Sequence, residues 1–128
     1  MNAGERDHQP CGEPDLRKRT KAFALRIIRL YESLPPAGAG QVIGRQLLRS
    51  GTSVGAHYRE ACRARSMAEF ISKIEGGLQE LEETGYWMEL LTESGLLPAS
   101  RLAALLREAE ELIAILAASA ITAKKRRS

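Results

Sequence analysis

Residues 43–63 read as one helix with two chemically different faces, and a helix of this kind must bury one of them. At 3.6 residues per turn, the side chains fall into a basic stripe and an opposing small or apolar stripe. The basic stripe consists of Arg45, Arg49, Thr52, Ala56, Arg59 and Arg63. The opposing stripe consists of Ile43, Leu47, Ser50, Val54 and Ala61, with Gly44, Leu48, Gly51 and Gly55 beside it. At a rise of 1.5 Å per residue, the arginines extend over about 27 Å of the helix.

Glycines interrupt this helix at positions where helix stability alone favours alanine. Gly51 and Gly55 each cost about 1 kcal/mol of helix propensity relative to alanine. Close approach of another helix compensates for that cost, because small residues let two helix axes come together. A phosphate-binding loop is the alternative, but the Lys-Ser or Lys-Thr pair of a P-loop does not follow. Packing is therefore the favoured interpretation of Gly44, Gly51 and Gly55.

The stretch before residue 43 predicts a first helix that folds back on the second. Asp15 can cap its start, and Pro35 with Pro36 ends it. The turn at 37–40 is short enough to return the second helix antiparallel to the first. The expected core stripe of the first helix consists of Leu16, Thr20, Phe23, Ile27, Leu30, Tyr31 and Leu34.

A third and a fourth helix follow, which makes the predicted fold all-α. Ser66 and Glu69 have the S-x-x-E form of a capping box, so the third helix should start at Met67. Gly95 and Pro98 mark the turn into the fourth helix. The expected inward residues of the third helix are Phe70, Ile74, Gly77 or Leu78, Leu81, Met88 and Leu91. Those of the fourth helix are Leu102, Leu105, Leu106, Ala109, Leu112, Ile113 and Leu116.

Nearly every position from 113 to 121 is apolar or small. A helix that is hydrophobic all round is usually covered on more than one side. Because one side of such a helix in a monomeric bundle faces water, Ile115 and Ile121 indicate a subunit interface. We therefore expect a homo-oligomer in which Gly44, Gly51 and Gly55 also serve packing or interface contacts.

The two ends of the chain differ in composition from the helical body. Residues 1–14 are polar and rich in glycine and proline, so we expect a disordered N-terminal arm. Residues 15–123 form the predicted bundle, and residues 124–128 form a basic tail that we expect to be mobile. The tail carries four cations in a chain of net charge +3. The distribution of charge is therefore more informative than its total.

The sequence contains no apolar run of the length found in a signal peptide or a membrane span, and we expect a cytoplasmic protein. Cys11 and Cys62 lie far apart in the sequence, and one of them falls in the predicted arm. In a reducing compartment we expect no disulfide between them. Neither cysteine has the CxxC or CxxH neighbourhood of a zinc site.

Few residues could support catalysis. His8 lies in the predicted arm, which leaves His57 as the histidine on a predicted helix. A catalytic triad needs a nucleophile and an orienting carboxylate at this residue, and a di-metal bundle needs Glu-x-x-His motifs. The sequence shows neither pattern. We predict a protein that is not an enzyme and needs no metal or cofactor, with His57 hydrogen-bonded at a helix interface.

The arginines are the largest directional chemical feature of the sequence. The planar guanidinium group can donate two hydrogen bonds to one phosphate, and such contacts tolerate any base sequence and weaken with salt. The predicted contacts to RNA or DNA are Arg45, Arg49, Arg59, Arg63, Arg26 and Arg29. Tyr86 and Trp87 could stack on unpaired bases, although burial is the favoured interpretation of Trp87.

An acidic stripe on the third helix offers a competing use for the arginines. It has the spacing of the arginine stripe and consists of Glu75, Gln79, Glu82, Tyr86, Glu89 and Glu93. Ion pairs with Glu75, Glu82, Glu89 and Glu93 would consume the basic surface, although each surface pair contributes only about 0–1 kcal/mol. Two functions stay open: nucleic-acid binding by exposed arginines, and a protein-interaction scaffold in which glutamates seal them.

Two separated motifs carry a resemblance to a known family. They are SGTSVGAHYREACRARS-x-x-EFISK, starting at Ser50, and ETGYWMELL at 83–91. The chain from about residue 20 to 120 resembles the four-helix-bundle proteins encoded within intervening sequences of bacterial large-subunit ribosomal RNA. Their relatives include the accessory variability determinant of diversity-generating retroelements. His57 stands where the family commonly has asparagine, and Gly76 and Gly77 replace an expected apolar pair.

This resemblance implies an antiparallel up-down-up-down four-helix bundle that assembles into a ring-like homo-oligomer, with a pentamer as the expected form. It also implies a protein without known catalysis that binds nucleic acid. In the retroelement version, the expected partner is a reverse transcriptase.

Overall fold

The computed structural model describes Cys11 and residues 16–127, and the described part is a bundle of four helices without strands. The helices are α1 (Leu16–Glu32), α2 (Gly38–Cys62), α3 (Met67–Glu93) and α4 (Ala99–Arg127). Each helix packs along the next one in the chain, and α1 contacts α4 sparsely. The predicted all-α fold with four helices is confirmed. The predicted arm, residues 1–14, lies outside the described residues apart from Cys11.

Local signals fix the boundaries of α3. The Ser66 hydroxyl accepts a hydrogen bond of 3.0 Å from the Glu69 backbone N–H, as the capping-box motif predicts. In return, the Glu69 carboxylate accepts one of 2.8 Å from the backbone N–H of Arg65. At the other end, Gly95 has a φ of 80°, a left-handed conformation that glycine adopts without strain. The chain then closes with a bond from Leu97 N–H to the Leu91 carbonyl.

Close packing against α1 and the residues that follow it accounts for three glycines of α2. A Cβ added at Gly44 would lie 2.8 Å from Leu34 Cδ1, and one added at Gly51 would lie 2.8 Å from Ile27 Cγ1. A Cβ added at Gly55 would lie 3.2 Å from Thr20 Oγ1. These glycines therefore let two helices of one chain pack together. Their small size needs no subunit interface to explain it.

The helix runs unbroken through residues 50–55, and two of its hydroxyl groups bond to backbone carbonyls of the preceding turn. Thr52 Oγ1 donates to the Leu48 carbonyl at 2.7 Å, and Ser53 Oγ donates to the Arg49 carbonyl at 2.6 Å. The third hydroxyl, Ser50 Oγ, is buried and lies 2.8 Å from Thr84 Oγ1 of α3. A polar link therefore joins α2 and α3 inside an otherwise apolar core.

The core follows the predicted stripes closely. Leu47, Val54 and Ala61 of α2 are buried, and so is Tyr58, which the predicted stripe omits although it lies four residues after Val54. Ile43, by contrast, is half-buried. Almost all of the residues predicted to face inward on α1, α3 and α4 are buried.

Two expectations about the ends of the chain are wrong. Cys11 and Cys62 form a disulfide, because the described part of the predicted arm returns to the end of α2. Lys124–Arg127 are the last turn of α4 and not a separate tail, and Lys124 Nζ lies 2.7 Å from Glu75 Oε2.

The predicted interface residues of α4 differ in exposure. Ile115 is half-buried against the core, whereas Ile121 is 55% exposed. Among the described helices, none combines the length and the apolarity that a bilayer crossing requires.

Candidate nucleic-acid interface

Three of the four arginines in the stripe along α2 and its C-cap form no ion pair with a described carboxylate. Arg45 and Arg63 are exposed and Arg59 is half-buried. None of the three makes an ion pair with a residue that the structure describes. We call Arg45, Arg59 and Arg63 the arginine face.

Arg49 is the exception in the stripe. Its Nη2 lies 2.9 Å from Glu83 Oε1, and its Nη1 lies 3.4 Å from Glu80 Oε1. The Glu80 side chain is only 12% exposed, whereas those of Arg49 and Glu83 are about half exposed. Arg49 therefore fastens α2 to α3, and its guanidinium group is already occupied.

The carboxylates that bind Arg49 are not members of the acidic stripe predicted to seal the arginines. Thr84 meets Ser50 at the seam between α2 and α3, so Glu80 and Glu83 on that side of α3 reach Arg49. Of the predicted partners, Glu75 pairs with Lys124. The other three are exposed and make no ion pair within the described chain: Glu82, Glu89 and Glu93.

The arginines of α1 have different environments. Arg19 donates to Glu108 Oε1 at 2.8 Å and to Glu111 Oε1 at 3.1 Å. The hydrogen bond to Glu108 raises the pKa of Arg19 above its ordinary value, which keeps this group charged. Arg26 is half-buried and Arg29 is exposed, and neither forms an ion pair among the described residues.

A shallow groove joins α1 to the arginine face. It has a volume of about 220 Å³, and its lining includes Lys21 and Ala24 of α1 together with Ala56 and Arg59 of α2. The hydroxyls of Thr20 and Thr52, which also line it, donate to backbone carbonyls. Lys21 is exposed and adds a cation that the sequence analysis missed. Its place on the outward side of α1, four residues before Leu25, is the signal that could have shown it.

His57 lies at the interface of α2 and α3, with its ring against Gly76. A Cβ added at Gly76 would meet His57 Cε1 at 3.2 Å, so this glycine makes room for the imidazole. His57 Nδ1 lies 3.2 Å from Glu60 Oε1 without forming a hydrogen bond, and Nε2 lies 3.8 Å from Glu80 Oε2. His57 therefore lies at a helix interface as predicted, but its ring nitrogens face carboxylates at ion-pair distance and do not form the predicted hydrogen bond.

Tyr86 and Trp87 do not join the arginine face. Their rings meet edge to face at a centroid distance of 5.1 Å. Trp87 is half-buried against the core, and Tyr86 is 53% exposed beside Glu82 and Glu89. Carboxylates on both sides of Tyr86 repel phosphate, which disfavours a role in stacking on nucleic-acid bases.

The chain also matches known proteins in sequence and in structure. A family model described as 23S rRNA-intervening sequence protein matches residues 13–118, well over half of the chain. The chain belongs to this family. A search of the curated proteins finds no match.

A solved structure supports the same membership. The chain is similar to a protein of unknown function from the S23 ribosomal protein family of Bacteroides thetaiotaomicron, whose crystal structure was determined at 1.70 Å resolution. The two are 36% identical, with a TM-score of 0.77, and the match covers 81% of this chain and 96% of that chain. The resemblance to the proteins of 23S rRNA intervening sequences is therefore confirmed.

Proposed function

We propose that this chain is a non-enzymatic, oligomeric protein that binds nucleic acid through the phosphates facing α2. The observation that carries this proposal is the arginine face, in which Arg45, Arg59 and Arg63 lack carboxylate partners in the described chain. A guanidinium group offers a planar pair of donors to phosphate oxygens and keeps its charge at physiological pH. The family name refers to an intervening sequence of 23S rRNA, which makes structured RNA the first ligand to test.

The proposed binding mode is independent of base sequence. Arginines spaced along one exposed helix reach phosphates, whereas base readout requires side chains placed in a groove or against unpaired bases. Each neutralised phosphate releases counterions, so affinity should fall steeply with salt. Repetition of the arginine face in an oligomer would add avidity to weak single contacts.

The assembly belongs to the same proposal. We propose an up-down-up-down helix order and a ring-like homo-oligomer, with a pentamer as the form implied by the family resemblance. Exposed large apolar side chains support association, among them Val42, Tyr86 and Ile121. In the retroelement version of this function, a reverse transcriptase would be the protein partner, and the protein would act in the cytoplasm.

A second candidate function is a protein-interaction scaffold, and the contacts of Arg49 favour it. This arginine shows that carboxylates of α3 can consume guanidinium groups of α2. In the scaffold, glutamates of another subunit would do the same to Arg45, Arg59 and Arg63. The two functions differ in whether the arginine face stays accessible in the assembled protein.

Charge reversal on the arginine face tests the proposal. The double variant Arg45→Glu with Arg59→Glu should weaken binding to a structured RNA at least about tenfold and lower the salt slope by about two. The matched control is Arg101→Glu with Arg107→Glu, which makes the same change of charge at two exposed positions of α4. Fluorescence anisotropy across several salt concentrations measures both quantities.

Two further measurements complete this test. Alanine at Lys125, Arg126 and Arg127 removes the basic end of α4 and leaves the Lys124–Glu75 pair in place. Binding lost in this variant but kept in the Arg45 and Arg59 variant would contradict the proposal. An oligomer that falls apart in the Arg45 and Arg59 variant would instead establish the scaffold.

A further inference from the structure

A groove between α3 and α4 lies outside the arginine face. It has a volume of about 380 Å³, and its apolar floor includes Leu106, Ala109 and Ile113. Three carboxylates surround this floor, from Glu82 and Glu89 of α3 and Glu110 of α4. We call this feature the acidic groove. None of its three carboxylates makes an ion pair with a described residue, so their charge is not neutralised within the described part of the chain.

Gly85 in the acidic groove has no packing role within the chain. Gly44, Gly51 and Gly55 in the interior of α2 lie against neighbouring side chains, whereas a Cβ added at Gly85 in the interior of α3 would meet no atom within 4 Å. Glycine in the middle of a helix is destabilising relative to alanine. Its presence here is explained if another molecule approaches the backbone of α3 at this point. The neighbouring Tyr86 is 53% exposed and supplies an aromatic contact surface beside it.

The outward side of α1 carries the complementary chemistry. Leu25 is 42% exposed and Ile28 is 36% exposed, which is unusual for large apolar residues of a bundle. Exposed cations flank them, namely Lys18, Lys21 and Arg29. We call these five residues the cationic face of α1. It combines apolar contacts for the floor of the acidic groove with cations for its rim.

We propose that the acidic groove binds the cationic face of α1 from a second copy of this chain. The proposal rests on the homo-oligomer of the proposed function and adds the surfaces that form it. Opposite charges on the two surfaces favour this contact over like-charged alternatives. Because the two surfaces lie on different helices, each copy offers one of each to its neighbours. Contacts of this kind are heterologous and repeat from copy to copy, which produces a ring when the rotation closes.

Exchange of charge between the two surfaces tests the proposal in the full chain. One variant carries Lys18→Glu with Lys21→Glu, a second carries Glu82→Lys with Glu89→Lys, and a third carries all four changes. Each of the first two places like charges against each other and should weaken self-association at least about tenfold. The third restores opposite charges with reversed polarity and should recover association to within about threefold of the unmodified chain. Sedimentation velocity over a range of protein concentrations gives these constants.

A steric variant without any change of charge provides independent evidence. Gly85→Leu fills the acidic groove at a position with open space, so the fold should tolerate it. We expect at least about a tenfold loss of association. Circular dichroism should show helix content no lower than that of the unmodified chain.

The possible outcomes separate this docking from the proposed function. Full association in the first two variants, or no recovery in the third, would overturn the docking. RNA binding by the Glu82 and Glu89 variant, which keeps every cation of the groove beside the arginine face, tests the proposed function separately. Association lost in the Glu82 and Glu89 variant but kept in the Lys18 and Lys21 variant would assign the groove to another cationic surface and also overturn it. If the unmodified chain is a monomer, both the proposed docking and the proposed homo-oligomer are wrong. RNA titration tests the arginine face independently of that result.

Discussion

Arg45 and Arg49 lie one helical turn apart on α2 and illustrate how two similar residues acquire different roles. Arg49 reaches two carboxylates of α3, whereas Arg45 has no ion-pair partner in the described chain. A group that is already paired must give up those contacts before it can bind phosphate. Arg49 is therefore a structural residue, and Arg45 is available for binding.

Charge reversal at these two positions should affect stability differently. Arg49→Glu places a carboxylate against Glu80 and Glu83 and should lower the free energy of unfolding by about 1 kcal/mol. Arg45→Glu should change it by less than about 0.5 kcal/mol, because the residue is exposed and unpaired in the described chain. Urea unfolding at low salt measures the difference, and added salt should reduce it. Equal effects of the two substitutions would contradict the division of roles.

We expect the buried hydroxyl groups of Ser50 and Thr84 to be coupled in their contribution to stability. Thr84→Val removes one partner and leaves Ser50 Oγ buried with only a 3.3 Å contact to the Leu47 carbonyl. We expect a loss of about 1–3 kcal/mol of unfolding free energy. Ser50→Ala should lower the unfolding free energy less in the Thr84→Val background than in the unmodified chain, because it removes the hydroxyl that Thr84→Val leaves unsatisfied. Strictly additive effects in this double-mutant cycle would show that the two hydroxyls are not coupled.

Helix α2 combines two packing surfaces with the proposed binding surface. Three of its glycines lie against the α1 side, Ser50 meets α3, and the arginine face lies on a separate stripe that borders α1 at Arg59. The helix can serve all three because its small residues and its arginines repeat on separate stripes. A change in the small-residue stripe should therefore alter packing without altering phosphate binding directly.

The same chemical change in two glycines tests the packing of α1 on α2. Gly51→Ala puts a Cβ 2.8 Å and 2.9 Å from two carbons of the fully buried Ile27, and should lower the free energy of unfolding by about 1 kcal/mol net. Gly85→Ala meets open space and should raise it by up to about 1 kcal/mol through helix propensity. Urea unfolding in the same oligomeric state compares the two. A stabilising Gly51→Ala would contradict the close-packing account.

Particular elements show how far the sequence determines this structure. The stripes of α1 and α2 could be predicted because helical periodicity depends only on the order of residues, and the capping box fixed the start of α3. The partners of Arg49 could not be predicted from spacing, since Glu80 and Glu83 depend on how α3 is rotated toward α2. The acidic groove needs two helices side by side, and the disulfide depends on where a polar segment returns to the bundle.

At the scale of the whole molecule, exposed charge forms separate patches of opposite sign. Cations outnumber carboxylates at the exposed positions of α1 and α2, and carboxylates surround the acidic groove between α3 and α4, although the last turn of α4 is again basic. This polarity is nearly invisible in a net charge of +3. In the two proposals, one surface binds phosphate and a different pair of surfaces forms the assembly, so substitutions in the acidic groove should alter association without changing the arginine face.

The disulfide between Cys11 and Cys62 joins residues that lie 51 positions apart in the sequence. A cross-link over a loop of this length lowers the entropy of the unfolded chain and should contribute about 4 kcal/mol to stability. Thermal unfolding with and without a reducing agent measures this contribution. The variant Cys11→Ser with Cys62→Ser is the control, and its melting temperature should not respond to the reducing agent. An unmodified chain that is equally insensitive would contradict the cross-link.

The cross-link also makes a covalent ring of the segment from Cys11 to Cys62, which contains α1, the turn at 33–37 and α2. A protease that cuts one bond in that turn would open the ring without releasing a fragment. The nicked protein would keep its full mass on a non-reducing gel and divide into two peptides only after reduction. Cleavage between α1 and α2 would therefore leave both pieces covalently joined for as long as the two sulfur atoms stay bonded.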